Sequence, residues 1–180
     1  MNTPIHNPGG KRSFPVHEGI RAGALISECG RYRLLLWREW GEPDNPPTAL
    51  WIGMNPSTAT AEVDDPTIIR EIGFTRRFGL RRYVKTNIMD YRSTDPKALS
   101  RPGVFPCSTD NLAMIRRAAE DATIIILAHG KIPKPLARFA NEVVAALQQD
   151  RRELWAVGLN KDGSPKHPLY VRADAPLIRL

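Results

Sequence analysis

The feature that most constrains this chain is the run Thr123-Ile124-Ile125-Ile126-Leu127-Ala128. It is apolar and largely β-branched without alternation, so it predicts a strand covered on both faces. Such a strand needs helices beside it, and the flanking sequence supplies them. Residues 108–119 predict a helix capped by Ser108 or Thr109, and residues 133–149 predict another. The second carries Leu136, Phe139, Ala140, Val143, Val144 and Leu147 on one face. Buried runs over 49–53 and 153–158, and a strand over 83–88, extend the pattern. Asp65-Pro66-Thr67 predicts a helix start, with Asp65 as N-cap and Pro66 at the first helical position. That helix carries Ile68, Ile69, Ile72 and Phe78 and stops at Gly79. Strands alternating with helices predict an α/β fold: three layers, α/β/α, around a central, mostly parallel, four-stranded sheet.

The N-terminal part reads differently. Residues 1–20 are rich in Pro, Gly and polar side chains without periodicity, which predicts a flexible arm. Gly23-Ala24-Leu25-Ile26-Ser27 and Tyr32-Arg33-Leu34-Leu35-Leu36-Trp37 predict an N-terminal β-hairpin preceding the sheet, with Gly30 able to take positive φ between them. Pro43-Asp44-Asn45-Pro46-Pro47 predicts a break. Residues 21–180 then make a single α/β domain of ordinary size.

A formal charge of +7 and a pI near 9.8 favour a polyanionic partner, nucleic acid or a nucleotide. A solvated basic surface without a dedicated partner is the plain alternative. Cys29 and Cys107, the two cysteines, cannot supply a four-cysteine zinc or iron–sulfur site and suggest no disulfide framework. No metal or other cofactor is expected, and a reducing cytoplasm is the expected location. No apolar run approaches the roughly 20 residues that span a bilayer, and residues 1–10 lack a signal-peptide core, so no membrane association is expected. Asp64-Asp65 has no spaced third carboxylate, which favours capping over cation binding. Arg76, Arg77, Arg81, Arg82 and Lys85 form either a phosphate-binding cluster or a helix end whose cations complement the dipole.

Ligands of open parallel sheets bind beyond the carboxyl ends of the strands. Gly53 ends one such strand and permits close approach, while Met54, Asn55 and Ser57 share the loop after it. Pro56 keeps Asn55 out of the helical region, so its amide can be held in a cleft. A plain Asn-Pro turn fits the same residues. Asn87 ends another strand, either to face a planar amide-containing ring or to bond its own backbone. Beyond it, Tyr91 offers a stacking face and Arg92 a phosphate or carboxylate contact. His129 follows the central run, as a packed residue or a ligand contact. Lys131 and Lys134 precede the next helix, where they form a phosphate cradle or are simply solvated. In the loop after Gly158, Lys161 and Lys166 bring positive charge and His167 is fixed before Pro168. A bare turn with an exposed histidine is the alternative there.

Taken in order, Trp51-Ile52-Gly53-Met54-Asn55-Pro56-Ser57-Thr58, then Asp65-Pro66-Thr67, the Asn87 strand, the strand ending at Gly130, and Lys166-His167-Pro168-Leu169-Tyr170 resemble an uncharacterised bacterial and phage family. It is domain-of-unknown-function family 1643, and the resemblance runs over about residues 22–172 without implying an activity. More distantly, the same segments resemble the uracil-DNA glycosylase superfamily. That resemblance implies a uracil-DNA glycosylase-like fold and a hydrolase, a glycosidase acting on a nucleobase. Gly53-Met54-Asn55-Pro56-Ser57 is similar to the Gly-Ile-Asn-Pro-Gly segment of the mismatch-type enzymes, which implies that Asn55 holds the attacking water. Asn87 resembles the base-reading asparagine, and His167-Pro168 resembles the start of the second catalytic motif, whose histidine stabilises the departing base. Asn55 and His167 are thus the catalytic candidates. Gly53, Met54, Ser57, Asn87, Tyr91, His129, Lys166, Leu169 and Tyr170 are the substrate-binding ones, with Leu169 or Tyr170 as a wedge when a base leaves a duplex. Arg92, Lys131, Lys134 and Lys161 are candidates for phosphate. Two departures stand out: Pro168-Leu169-Tyr170 replaces the usual Pro-Ser-Pro run, and the first segment has no carboxylate.

Three functions fit these residues. One is cleavage or recognition of a nucleobase–sugar bond in nucleic acid. A second is a nucleic-acid-binding module without catalysis. A third is an enzyme or sensor for a free nucleotide or another phosphorylated metabolite, with Lys131, Lys134, Lys161 and Lys166 on its phosphate.

Overall fold

The computed structural model describes residues 6–10, 12–41 and 46–180. Strands β1 (Phe14–Pro15), β2 (Arg21–Ile26), β3 (Arg33–Glu39), β4 (Thr48–Gly53) and β5 (Val63–Asp64) come first. Helix α1 (Pro66–Arg77), strand β6 (Arg82–Asn87), helix α2 (Asn111–Glu120), strand β7 (Ile124–Leu127), helix α3 (Ala137–Gln149) and strands β8 (Leu154–Ala156) and β9 (Ile178–Arg179) follow. Seven strands form one sheet in the order β2-β3-β6-β4-β7-β8-β9. Its middle, β6-β4-β7-β8, is parallel. β3 joins β6, and β9 joins β8, antiparallel.

The expected four-stranded sheet is therefore corrected to seven, and the hairpin β2–β3 continues the sheet instead of merely preceding it. A bare β6 edge would leave a row of backbone donors and acceptors unpaired, and β3 satisfies them with Leu36 opposite Lys85.

All six residues of β4 are buried, and they divide between two cores. Leu50 and Ile52 pack with Ile115 and Ala119 of α2 and Val143 and Leu147 of α3. Ala49 and Trp51 pack with Ile68, Ile72 and Phe74 of α1. The indole N–H of Trp51 donates to Thr75 Oγ1 at 2.9 Å, which pins α1 to the sheet.

Helix starts obey local chemistry. Asp65 accepts the backbone N–H groups of Thr67 and Ile68 at 2.9 and 3.0 Å, as its N-cap position requires. Gly79 takes φ +76° just past the end of α1. The second helix differs from expectation: it begins at Asn111, because Ser108 is committed to the buried Asp90 through both its backbone N–H and its hydroxyl. Likewise, a 3₁₀ turn over Lys134–Leu136 precedes α3.

Two arginines of β3 hold the chain between β4 and α1. Arg38 Nε donates to Asp64 Oδ1 at 3.0 Å, and Arg38 Nη2 donates to the Thr60 carbonyl at 2.6 Å. Arg33 Nη1 donates to the Ala59 carbonyl at 3.0 Å. Parts of the expected arm (residues 1–5 and 11) and of the expected break (residues 43–45) lie outside the described residues. Within them, β1 pairs with β5, and Thr94 donates its N–H to the Pro8 carbonyl at 2.8 Å.

Candidate functional site

Beyond the carboxyl ends of β4, β6 and β7 lies a cavity of about 350 Å³. That size is within the roughly 300–1,000 Å³ usual for small-molecule sites. Its construction starts from strand alternation. Tyr83 points into the α1-side core, so Lys85 and Asn87 share that face of β6. Gly53 sits opposite Asn87 in the parallel register. The loops after β4 and β6 are then tied together: Met89 donates to the Met54 carbonyl at 2.9 Å and Ser93 to the Pro56 carbonyl at 2.9 Å.

Asn55 completes that tie. Its Nδ2 donates to the Ser93 carbonyl at 2.8 Å and the Pro56 carbonyl at 3.0 Å. Both amide protons are thereby used, which leaves Oδ1 as the acceptor. Asn87 is different: it is 1% exposed, and neither Oδ1 nor Nδ2 has a hydrogen-bond partner among the described residues. The buried Ser57 hydroxyl is likewise unpartnered. An unpaired buried polar group costs about 1–3 kcal/mol, and at a cavity wall this amide is placed where water or a ligand can meet it.

Below the amide lies a buried ion pair. Lys85 Nζ donates to the two oxygens of Glu71 at 2.6 and 2.9 Å, and the Tyr83 hydroxyl donates to Glu71 at 2.6 Å. Burial pushes the Glu71 carboxyl up from its ordinary range, against the pull of Lys85 and Tyr83. Burial, followed by the Glu71 charge, pushes Tyr83 well up as well.

Two histidines complete the wall. His129 is buried, with Nδ1 2.7 Å from the Gly130 carbonyl; burial and then the Lys85 charge lower its pKa, against that bond. His167 caps a 3₁₀ turn over Pro168–Tyr170, its Nδ1 accepting the Leu169 N–H at 3.4 Å. Leu169 and Tyr170 are exposed at the rim.

The structure thus brings Gly53, Met54, Asn55, Ser57, Asn87, His129, Lys131, His167, Leu169 and Tyr170 to one cavity. Lys131 is exposed there and pairs with Asp162 at 3.5 Å. Five other candidates do not line it. Tyr91 packs against His6 and Tyr32, with ring centroids 5.1 and 5.8 Å away. Arg92 is buried and donates to the Gly30 carbonyl at 3.0 Å. Lys134 and Lys161 are exposed elsewhere, and half-buried Lys166 lies along Gly158. The cluster of arginines around Lys85 also dissolves: Arg76 lies over Trp40, Arg82 over Trp37, and Lys85 is buried with Glu71.

Sequence reasoning missed Arg33, Asp65, Thr67, Ile68, Lys85, Pro96 and Gly130 as lining residues, while Ser93 and Thr94 belong to the loop after Asn87 that it placed at the site. Lys85 had a usable signal, since it alternates with Tyr83 and Asn87 in an otherwise buried strand. Arg33 had a weaker one, a charged residue opening an apolar strand. It is 1% exposed, and burial lowers its pKa against the charge of Asp65.

Among the described residues no three His, Cys, Asp or Glu side chains cluster as a metal site requires, and no helix is long and apolar enough to cross a membrane. No curated protein and no solved structure matches the chain. A family model described as a protein of unknown function, DUF1643, matches residues 31–169, and the chain belongs to that family.

Proposed function

We propose that the cavity takes a nucleobase rotated out of a nucleic acid and that the protein hydrolyses its N-glycosidic bond. The observation that carries this reading is the convergence of Asn55, Asn87 and His167, distant in the chain, on one cavity in which the Asn87 amide has no protein partner. A planar amide offers one donor and one acceptor side by side, the complement of a base edge. The parallel order β6-β4-β7-β8, with α1 on one face and α2 and α3 on the other, supports a three-layer, uracil-DNA glycosylase-like arrangement. The formal charge of +7 suits a polyanionic substrate.

In this reading Asn87 pairs with the base edge and Asn55 Oδ1 accepts a hydrogen bond from a water. His167, with Nδ1 accepting from Leu169, directs a hydrogen bond from Nε2 at the departing base and stabilises its charge. The bond from the sugar C1′ to the base nitrogen breaks, its electron pair leaves with the base, and the water oxygen bonds to C1′; the proton the water loses ends in solvent, and the base takes one from solvent. Leu169 and Tyr170 stand where a wedge would fill the vacated stack. Incubation with uracil-, hypoxanthine- and mismatch-containing oligonucleotides tests the proposal. Abasic product from any of them is expected; none at excess enzyme overturns it.

A binding module without catalysis is the second reading, favoured by the lack of a carboxylate in Gly53-Met54-Asn55-Pro56-Ser57. It expects salt-dependent oligonucleotide binding that survives Asn55→Ala and His167→Ala. The nucleotide reading has less support, because Lys134, Lys161 and Lys166 do not line the cavity.

A further inference from the structure

The roles above leave a buried imidazole of the cavity wall without a task. His129 follows β7 and is 8% exposed. Its Nδ1 lies 2.7 Å from the Gly130 carbonyl, so Nδ1 carries the proton and Nε2 holds the ring's lone pair. Gly130 takes φ +68°, and a Cβ there would lie 3.4 Å from the Cβ of His167, so one glycine separates the two histidines. Each ring then has its own polarity: Nε2 accepts on His129 and donates on His167.

Resting on the glycosidase reading, we propose that His129 is the general base of the reaction. Its Nε2 takes a proton from the water held by Asn55 Oδ1 as the water oxygen bonds to C1′. The electron pair of the C1′–N bond leaves with the base, which takes its own proton from solvent. His129 then returns its proton to solvent. This supplies the basic group that the first segment lacks.

The surroundings suit the task. Burial and the Lys85 ammonium hold His129 below its ordinary pKa, so it is neutral and able to accept at pH 7. The Gly130 carbonyl bond acts the other way and steadies the imidazolium once formed. The charged and titratable groups that line the cavity with it are Arg33 from β3, Asp65 ahead of α1, Lys85 from β6, Lys131 from its own loop, and His167 and Tyr170 from the later one.

Single-turnover cleavage of an oligonucleotide substrate by His129→Gln, across pH 5 to 8, tests the inference. The variant is expected to lose about 10²–10⁴-fold in rate at pH 7. Affinity for the same oligonucleotide carrying an uncleavable sugar analogue should change by less than about threefold, as for a general base that contributes little to binding. The wild-type rate should fall tenfold per pH unit on the acid side, and that limb should vanish in His129→Gln while persisting in His167→Gln. His129→Asn replaces the glutamine variant if that one fails to fold.

An active wild type with no acid limb, or a variant within threefold of it, overturns the inference and leaves the glycosidase reading standing. A wild type that yields no abasic product overturns both.

Discussion

Gly53 leaves open the space in which Lys85 ends: a Cβ on residue 53 would lie 2.7 Å from Lys85 Nζ. The same atom would lie 2.9 Å from Asn87 Oδ1. This glycine serves close approach and not backbone freedom, since its φ lies outside the left-handed region. Gly53→Ala is therefore expected to push both side chains aside and cost about 1–3 kcal/mol of stability, as overpacking does. Urea denaturation measures it. A midpoint equal to wild type would show that the two side chains can move freely.

Lys85→Met strands the Glu71 carboxyl in the interior, with the Tyr83 hydroxyl as its remaining side-chain hydrogen-bond donor among the described residues. Removing one member of a buried pair costs about 3–5 kcal/mol at pH 7, whereas Glu71→Gln with Lys85→Met should recover most of that. Glu71 binds its proton more tightly folded than unfolded. Its contribution to stability is therefore fully present below the ordinary carboxylate pKa and is lost as pH rises through the raised folded value. Lys85→Met raises that value further and widens the window. Urea midpoints across pH check the sign; a variant that loses stability on mild acidification contradicts it.

Asn87 and Asn111 should separate function from stability. Asn111 Nδ2 donates to the carbonyls of Asn87 and Ile88 at 3.2 and 2.9 Å, so Asn111→Ala leaves buried acceptors weakened and costs about 1–3 kcal/mol. Asn87→Ala removes an amide that has no partner, and its stability should change by less than about 1 kcal/mol. Thermal and urea melts of the pair decide this. A large loss for Asn87→Ala would make its amide a structural group.

The two thiols should differ sharply in reactivity. Cys29 is exposed, and a hydrogen bond with Ser27 lowers its pKa. Burial, with the charge of Asp90, pushes Cys107 up to about 12. At pH 8 a disulfide reagent such as DTNB is expected to label one thiol per chain quickly and the second only on unfolding. Cys29→Ser should abolish the fast phase; two fast phases in the wild type would refute the assignment.

The parallel strands were legible because β4 and β7 are apolar without interruption, and α1 because Asp65-Pro66-Thr67 encodes its own cap. The place of the hairpin in the sheet was not, since a strand's partner across fifty residues leaves no local trace: nothing near Leu36 points to Lys85. Nor were β1, β5 and β9, each two residues long. At the site, glycine, amide and histidine at strand ends were readable from chain order alone. Lysines were readable only in part: Lys131 reaches the cavity, Lys134 and Lys161 are exposed away from it, and buried Lys85, on the same strand face as Tyr83 and Asn87, belongs to it.

The seam between Gly130 and His167 has a consequence for biosynthesis. A ribosome that has passed Gly130 has already made Arg33, Asn55, Asn87 and His129, yet the wall and rim formed by His167, Leu169 and Tyr170 are still unmade. The cavity is therefore walled on this side only when residue 170 can dock. For the same reason a protease cut between 158 and 167, in the exposed turn around Gly163, would loosen that wall while β6, β4, β7 and β8 all lie on the N-terminal side of the cut.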